Sequence, residues 1–357
     1  MAEPSRQLPL VDLDPPPART LEVLDERSRG TRFLRIAPRG AINSPKATGM
    51  GFWSLNPYVG CEFACSYCYA RDTHRHAVER ARRAGALPVD PALGDMEPWQ
   101  AFERRILVKQ DLAGLLARTL DRHGLRDATL VIGTATDPYQ PAERQFGVTR
   151  SVLEVLAARR GLRIGITTKS PLVVRDVDLL ATIARRHRLS VNVSLATTDA
   201  ALARRLEPRS PAPHARLRAL ARLRAEGIDA GLLVAPIVPL LTDSRAALRA
   251  LFVAASAAGA SFVWQGGALR LGPAARRRFL PHLEQEFPEL AERYRAHFGT
   301  HTSATRAYRR ALSRRVRRLQ QEFGFTRGDD SEGVSDAAPP SLAEQLPLFE
   351  EELDTAQ

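Results

Sequence analysis

Three cysteines constrain this chain more than any other feature. Cys61, Cys65 and Cys68 fall within eight residues, and no other cysteine occurs among the 357. Thiols gathered so tightly, and absent elsewhere, point to one metal-binding device. A closed zinc site and a closed iron–sulfur cluster each take four protein ligands, so three thiolates leave a coordination position open. Gly60 permits a sharp turn just before the first thiol. Tyr67 and Tyr69 flank the last one and can screen a cluster from water. The odd count argues against a disulfide framework. A zinc site completed by His74 or His76 has workable spacing.

The pattern Cys61-x3-Cys65-x2-Cys68, with Tyr67 directly before the last thiol, resembles the cluster loop of radical S-adenosylmethionine (SAM) enzymes. The flanking Asn56-Pro-Tyr and Tyr69-Ala-Arg are similar to those of the group related to spore photoproduct lyase, a resemblance that covers most of residues 50–325. It implies a [4Fe–4S] cluster on Cys61, Cys65 and Cys68, with the fourth iron left for the amino and carboxylate groups of SAM. It also implies reductive cleavage of SAM to methionine and a 5′-deoxyadenosyl radical, fed by an electron donor of flavodoxin or ferredoxin type. Spore photoproduct lyase itself is not implied. That enzyme uses a further cysteine as hydrogen donor, and the corresponding stretch here, Gly133 to Asp137, has none. Tyr139 is the candidate donor in its place. An auxiliary cysteine-held cluster is excluded by the same count.

The chain is long enough for one large core or two modest ones. Residues 1–17 lack the basic start and apolar run of a signal peptide, and no run is long enough to span a bilayer, so a cytoplasmic location is expected. Formal net charge is +12, yet only Lys46, Lys109 and Lys169 of the 52 basic residues are lysine. That skew toward arginine weakens an inference to nucleic-acid binding and makes each lysine a candidate for work arginine cannot do. From Thr326 onward there are nine acids and one base, so an acidic tail follows a basic body.

Residues 1–45 read as an irregular arm that ends near the extended Arg32 to Ile36. A short strand from Gly51 to Val59 leads into the cysteine loop, and an arginine-rich helix follows over Arg71 to Arg83. Strand-like runs then recur at 129–135, 162–168, 189–195, 228–235 and 260–264, separated by helical patterns. Such alternation predicts βαβ units and a parallel sheet. About six repeats are too few for an eight-fold barrel. The expected fold class is α/β, and the resemblance implies a partial (β/α)6 TIM-type barrel of the radical SAM kind over residues 46–273, with which this spacing is consistent.

In such a sheet chemistry gathers beyond the carboxyl ends of the strands. By resemblance, Thr136 and Asp137 lie in the stretch that meets the amino group of SAM. Lys169 and Ser194 fall where its carboxylate and ribose are held, Pro236 and Ile237 where the adenine packs. Lys109 recurs in the related group without an assigned role.

Residues 274–325 read as a helical C-terminal region. Tyr308, Leu312, Val316, Leu319 and Phe323 form one apolar stripe, and the arginines opposite suit either solvent or nucleic-acid phosphates. The tail from 326 to 357 has the composition of a disordered segment. Within it Gln345, Leu346, Leu348 and Phe349 resemble the motif by which bacterial repair proteins bind the sliding clamp. A fold-back of those apolar residues onto the enzyme is the competing reading. The alternative class is a non-catalytic nucleic-acid-binding or clamp-recruited adaptor, stabilised by zinc or an Fe–S cluster.

Overall fold

The computed structural model describes residues 22–27, 30–74, 98–123 and 125–325. The Gln345 to Phe349 motif, the acidic tail, His76 and most of the arginine-rich helix after the cysteines lie outside these residues.

Two sheets organise the chain. The larger has six strands in the order β10-β9-β8-β7-β6-β3. These are β3 (Trp53–Leu55), β6 (Thr129–Ile132), β7 (Arg163–Thr168), β8 (Arg188–Ser194), β9 (Ala230–Val234) and β10 (Val263–Gln265). All neighbours are parallel. Strand order in space follows strand order in the chain, without the reversal that marks a doubly wound sheet. All carboxyl ends therefore open on one side, and the sheet curls as an incomplete barrel.

Local chemistry explains the elements. Ile164 and Ile166 of β7, with Val191 and Val193 of β8, alternate with less buried neighbours. They pack against Leu153 and Ile183 of the crossover helices in the principal core. Each such side chain contributes about 1.5–3 kcal/mol on burial. Helices start where the sequence offers caps. Ser244 accepts from Ala247 N before the Arg245–Ala257 helix, and Asp199 accepts from Ala201 N and Leu202 N before Ala200–Leu206.

The smaller sheet corrects the expectation of an irregular arm before residue 45. β1 (Val23–Arg27) and β2 (Thr31–Ile36) form a hairpin, and β2 runs parallel to β5 (Arg105–Lys109). β5 pairs in turn with β4 (Tyr58–Val59). The predicted strand from Gly51 to Val59 is thus two strands in two sheets. Pro57, which has no N–H to give a ladder, sits at the changeover.

The C-terminal region is helical over Pro273–Glu286, Pro288–Phe298 and Arg306–Glu322. Leu312, Val316 and Leu319 of the expected stripe are buried against Leu248, Leu251 and Phe252. Asp72, just after the cysteine loop, accepts from Ala274 N at 2.7 Å and so caps the first of these helices. Among the described residues no helix is long and apolar enough to cross a membrane.

Candidate active site

The cysteine loop leaves β4 at the carboxyl side of the large sheet and is pinned on every flank. Gly60 has φ +93°, and a Cβ there would meet Phe102 O at 2.8 Å, so only glycine fits. Its carbonyl accepts from Thr136 Oγ1 at 2.6 Å and from Gln140 Nε2 at 3.2 Å. Cys61 N donates to Phe102 O at 2.8 Å. Glu62 receives Arg27 Nη1 at 2.6 Å and Ala142 N at 2.6 Å. Ser66 is tied to Leu206 O through both its N and its hydroxyl. Arg71 Nη2 donates to Cys65 O at 2.9 Å.

Cys61 and Cys65 are buried and Cys68 is nearly so. Burial pushes all three thiols up, Cys65 to about 12, with Asp137 and then Cys65 adding to the rise for Cys61, and Glu207 and then Cys68 adding to that for Cys65. Without a cation these sulfurs keep their protons; metal binding must displace them. Cys65 Sγ lies 3.5 Å from Ser210 Oγ. Among the described residues no three His, Cys, Asp or Glu side chains gather as a single ion requires. A four-iron cluster asks instead for thiolates spaced around its volume, one to an iron. The donor set of three pinned thiols and no fourth fits that group. Of the two histidines with workable spacing for a zinc site, His74 lies among the described residues. Its ring stands edge-on to Phe102 at 5.7 Å, and neither nitrogen has a hydrogen-bond partner.

Beside the loop lies a second polar group. Lys169, just past β7, directs Nζ to Glu207 Oε1 at 2.8 Å, Ser194 Oγ at 3.2 Å and Tyr67 OH at 3.3 Å. Tyr67 also donates to Glu207, and Arg216 donates to the other oxygen of that carboxylate. Arg216 reaches Ser194 O at 3.1 Å and Pro211 O at 2.7 Å, and is 1% exposed. Burial pulls the Glu207 carboxyl upward, but Lys169 and Arg216 outweigh it and hold it down, to about 2. Burial and Glu207 drive the Tyr67 phenol well above its usual range.

Asp137 is locked to the same strand end. Thr168 Oγ1 reaches it at 2.7 Å and Lys169 N at 2.7 Å. Burial nevertheless pushes its carboxyl up. Cys61, Cys65, Cys68, Tyr67, Thr136, Asp137, Lys169 and Ser194 are therefore brought together around one loop. Pro236 is half-buried, whereas the Ile237 side chain is 0% exposed inside an apolar cluster with Leu195 and Leu232. Tyr139 does not join the group. It is 0% exposed in the principal core, near Asp176, Glu143 and Arg175. A hydrogen donor must face the substrate, and this phenol faces packed protein. Lys109 ends β5, where burial alone pulls its ammonium down, to about 8.

Glu207 and Arg216 escaped the sequence reading. One signal was present. Arg216 falls in register with Ala219, Leu220 and Leu223, the buried face of the Pro213–Ala225 helix, where an arginine must be paired.

Comparison with known proteins bears on family and fold. The model of the Radical SAM superfamily matches residues 55–251. The uncharacterized protein Rv2578c of Mycobacterium tuberculosis is 36% identical over 322 residues, 90% of this chain and 89% of its own. The uncharacterized protein MJ0683 of Methanocaldococcus jannaschii is 27% identical over 260 residues, 73% of this chain and 85% of its own. Among solved structures, a spore photoproduct lyase mutant with bound AdoMet and dinucleoside spore photoproduct has a TM-score of 0.59. It is 17% identical and is covered over 82% of this chain and 79% of its own, a likeness of fold. With more than half of its length matched, the chain belongs to the radical SAM superfamily and is an enzyme that uses a [4Fe–4S] cluster and SAM.

Proposed function

We propose that SAM is held at the carboxyl ends of β6 to β9 and that the substrate is nucleic acid. The observation that carries the cofactor placement is Lys169. It is one of only three lysines in an arginine-rich chain, 14% exposed at its side chain, with Nζ set between Ser194 and the tyrosine of the cysteine loop. When bound, the cluster supplies the electron that cleaves SAM. The chain supplies position and shelter. Lys169 offers a cation to the carboxylate of SAM, Ser194 a hydroxyl to the ribose, and Thr136 and Asp137 acceptors to the amino group. The half-buried Pro236 ring offers an apolar seat to the adenine, with the backbone of Ile237 beside it. Buried Tyr67, with half-exposed Tyr69, flanks the loop and excludes water.

Nucleic acid is favoured by exposed positive charge on the C-terminal helix. Arg306, Arg310, Arg314, Arg317 and Arg318 are exposed on the Arg306–Glu322 helix. Arg270, also exposed, is bridged by its backbone to Ser303 just before that helix. An array of this kind tracks phosphates. Recruitment through Gln345, Leu346, Leu348 and Phe349 to a sliding clamp would bring the enzyme to DNA. Like other members of the superfamily, the enzyme needs an electron donor.

The test is anaerobic incubation of cluster-loaded protein with SAM and a reductant, scoring 5′-deoxyadenosine with and without DNA. Turnover stimulated by DNA, and DNA binding that weakens steeply with salt, are expected. Turnover indifferent to DNA, together with no binding at low salt, would remove the nucleic-acid reading.

A further inference from the structure

Glu207 occupies a place that nothing in the cysteine motif or the strand ends predicts. It is 3% exposed and takes three donors: the Lys169 ammonium, the Tyr67 phenol and the Arg216 guanidinium. Two cations against one carboxylate leave one positive charge in excess inside the protein. Arg216 cannot be the cation offered to a ligand, because it is buried and also spent on Ser194 O and Pro211 O. The excess therefore sits on Lys169, whose side chain alone of the three retains some exposure.

The ammonium has three hydrogens and, in this structure, three acceptors: Glu207 at 2.8 Å, Ser194 at 3.2 Å and Tyr67 at 3.3 Å. A ligand carboxylate must replace one of them. The contact to Glu207 is the shortest and is charge-assisted, so it is the one that stays. The two longer, neutral contacts are the ones released. Glu207 thus acts as the fixed post from which Lys169 swings, and it holds Tyr67, a residue of the metal-binding loop, on the same post.

We propose that Glu207 is a positioning residue that aims Lys169 at the carboxylate of SAM, with Arg216 as its permanent counter-ion. This rests on the placement of the SAM carboxylate at Lys169. Removing the negative charge leaves Arg216 and Lys169 facing each other without an anion between them, and the flexible lysine is the one driven away. Because the role concerns only the carboxylate, the loss appears with ligands that carry one.

The experiment measures equilibrium binding of SAM and of decarboxylated SAM to anaerobic, cluster-loaded Glu207→Gln, Lys169→Ala and the double variant. Iron content and unfolding midpoints are recorded alongside. Glu207→Gln is expected to weaken SAM about tenfold and leave decarboxylated SAM within about twofold. In the Lys169→Ala background the same change should have no further effect. Glu207→Asp keeps the charge but shortens the post by one methylene. It serves if Glu207→Gln loses its iron or its fold, and should show the same selectivity. If Lys169→Ala weakens both ligands equally, the cofactor placement is wrong. If Lys169→Ala is selective but the Glu207 variants weaken both ligands equally, or add fully to Lys169→Ala, the positioning role is wrong and Glu207 is only a strut.

Discussion

Arg71 Nη2 stands 2.5 Å from Glu103 Oε1, with the arginine side chain 0% and the glutamate 8% exposed. The same guanidinium donates to Cys65 O at 2.9 Å and to Trp99 O at 2.6 Å. It therefore joins the cysteine loop to the Pro98–Arg104 helix across a region closed to solvent. Breaking a buried pair on one side leaves an uncompensated charge, which costs about 3–5 kcal/mol. Glu103→Ala should lower stability by that order in denaturant unfolding. It should also reduce the iron retained per chain, since Arg71, which holds the Cys65 carbonyl, loses the counter-ion that fixes it.

The three thiols should hold about four irons per chain after anaerobic reconstitution, giving a brown protein. Replacing Cys61, Cys65 or Cys68 by Ala should abolish the iron and the colour. Metal analysis and an absorption spectrum decide it; a colourless chain carrying one zinc would be incompatible with the cluster.

Gly60→Ala tests the turn rather than the ligands. The added methyl meets the Phe102 carbonyl in a backbone conformation that L-residues avoid. Strain of about 1–3 kcal/mol is expected. The readout is a lowered unfolding midpoint with faster iron loss to a chelator, although every cysteine remains.

His74 should make the chain sensitive to mild acid. Burial first, and then the Arg71 guanidinium, hold its imidazole down, to about 4. The fold favours the neutral ring, so its contribution is complete above the ordinary histidine value. It is lost progressively as pH falls from that value toward the folded one. By pH 5 roughly 2 kcal/mol should be gone relative to pH 7. Urea unfolding of cluster-free protein at the two pH values should show this difference, and His74→Phe should remove it.

A peptide containing Gln345 to Phe349 should bind a bacterial sliding clamp, with Leu348 and Phe349 as anchors whose joint change to Ala removes measurable binding. Deleting residues 326–357 should spare the iron and SAM binding. A titration with labelled peptide that shows no binding, combined with loss of solubility on deletion, would favour fold-back onto the enzyme.

Local chemistry made half of this site legible in advance. Cys61, Cys65 and Cys68 announce themselves by spacing, and Lys169 and Ser194 by standing at the ends of strands whose order follows the chain. Glu207 was hidden because Leu206 to Ser210 reads as an ordinary turn after a helix. Arg216 was hidden among many arginines, where only register with buried leucines set it apart. Of the N-terminal hairpin only Arg32 to Ile36 reads as extended in the sequence. Its partner β5 lies some seventy residues away in sequence, and no local pattern encodes a pairing at that distance. Tyr139 was suggested by sequence proximity to the strand end, while its ring is packed the other way.

The bond between Arg27 and Glu62 changes what the first strands are for. β1 carries Arg27, and Glu62 is the residue after the first metal-binding cysteine, so the opening hairpin is part of the scaffolding of the redox centre. A shortened form that begins at residue 40 would keep every motif by which the enzyme is recognised. It would still be expected to lose its metal more readily, because Glu62 would lose its cation and β5 the strand that covers its outer edge.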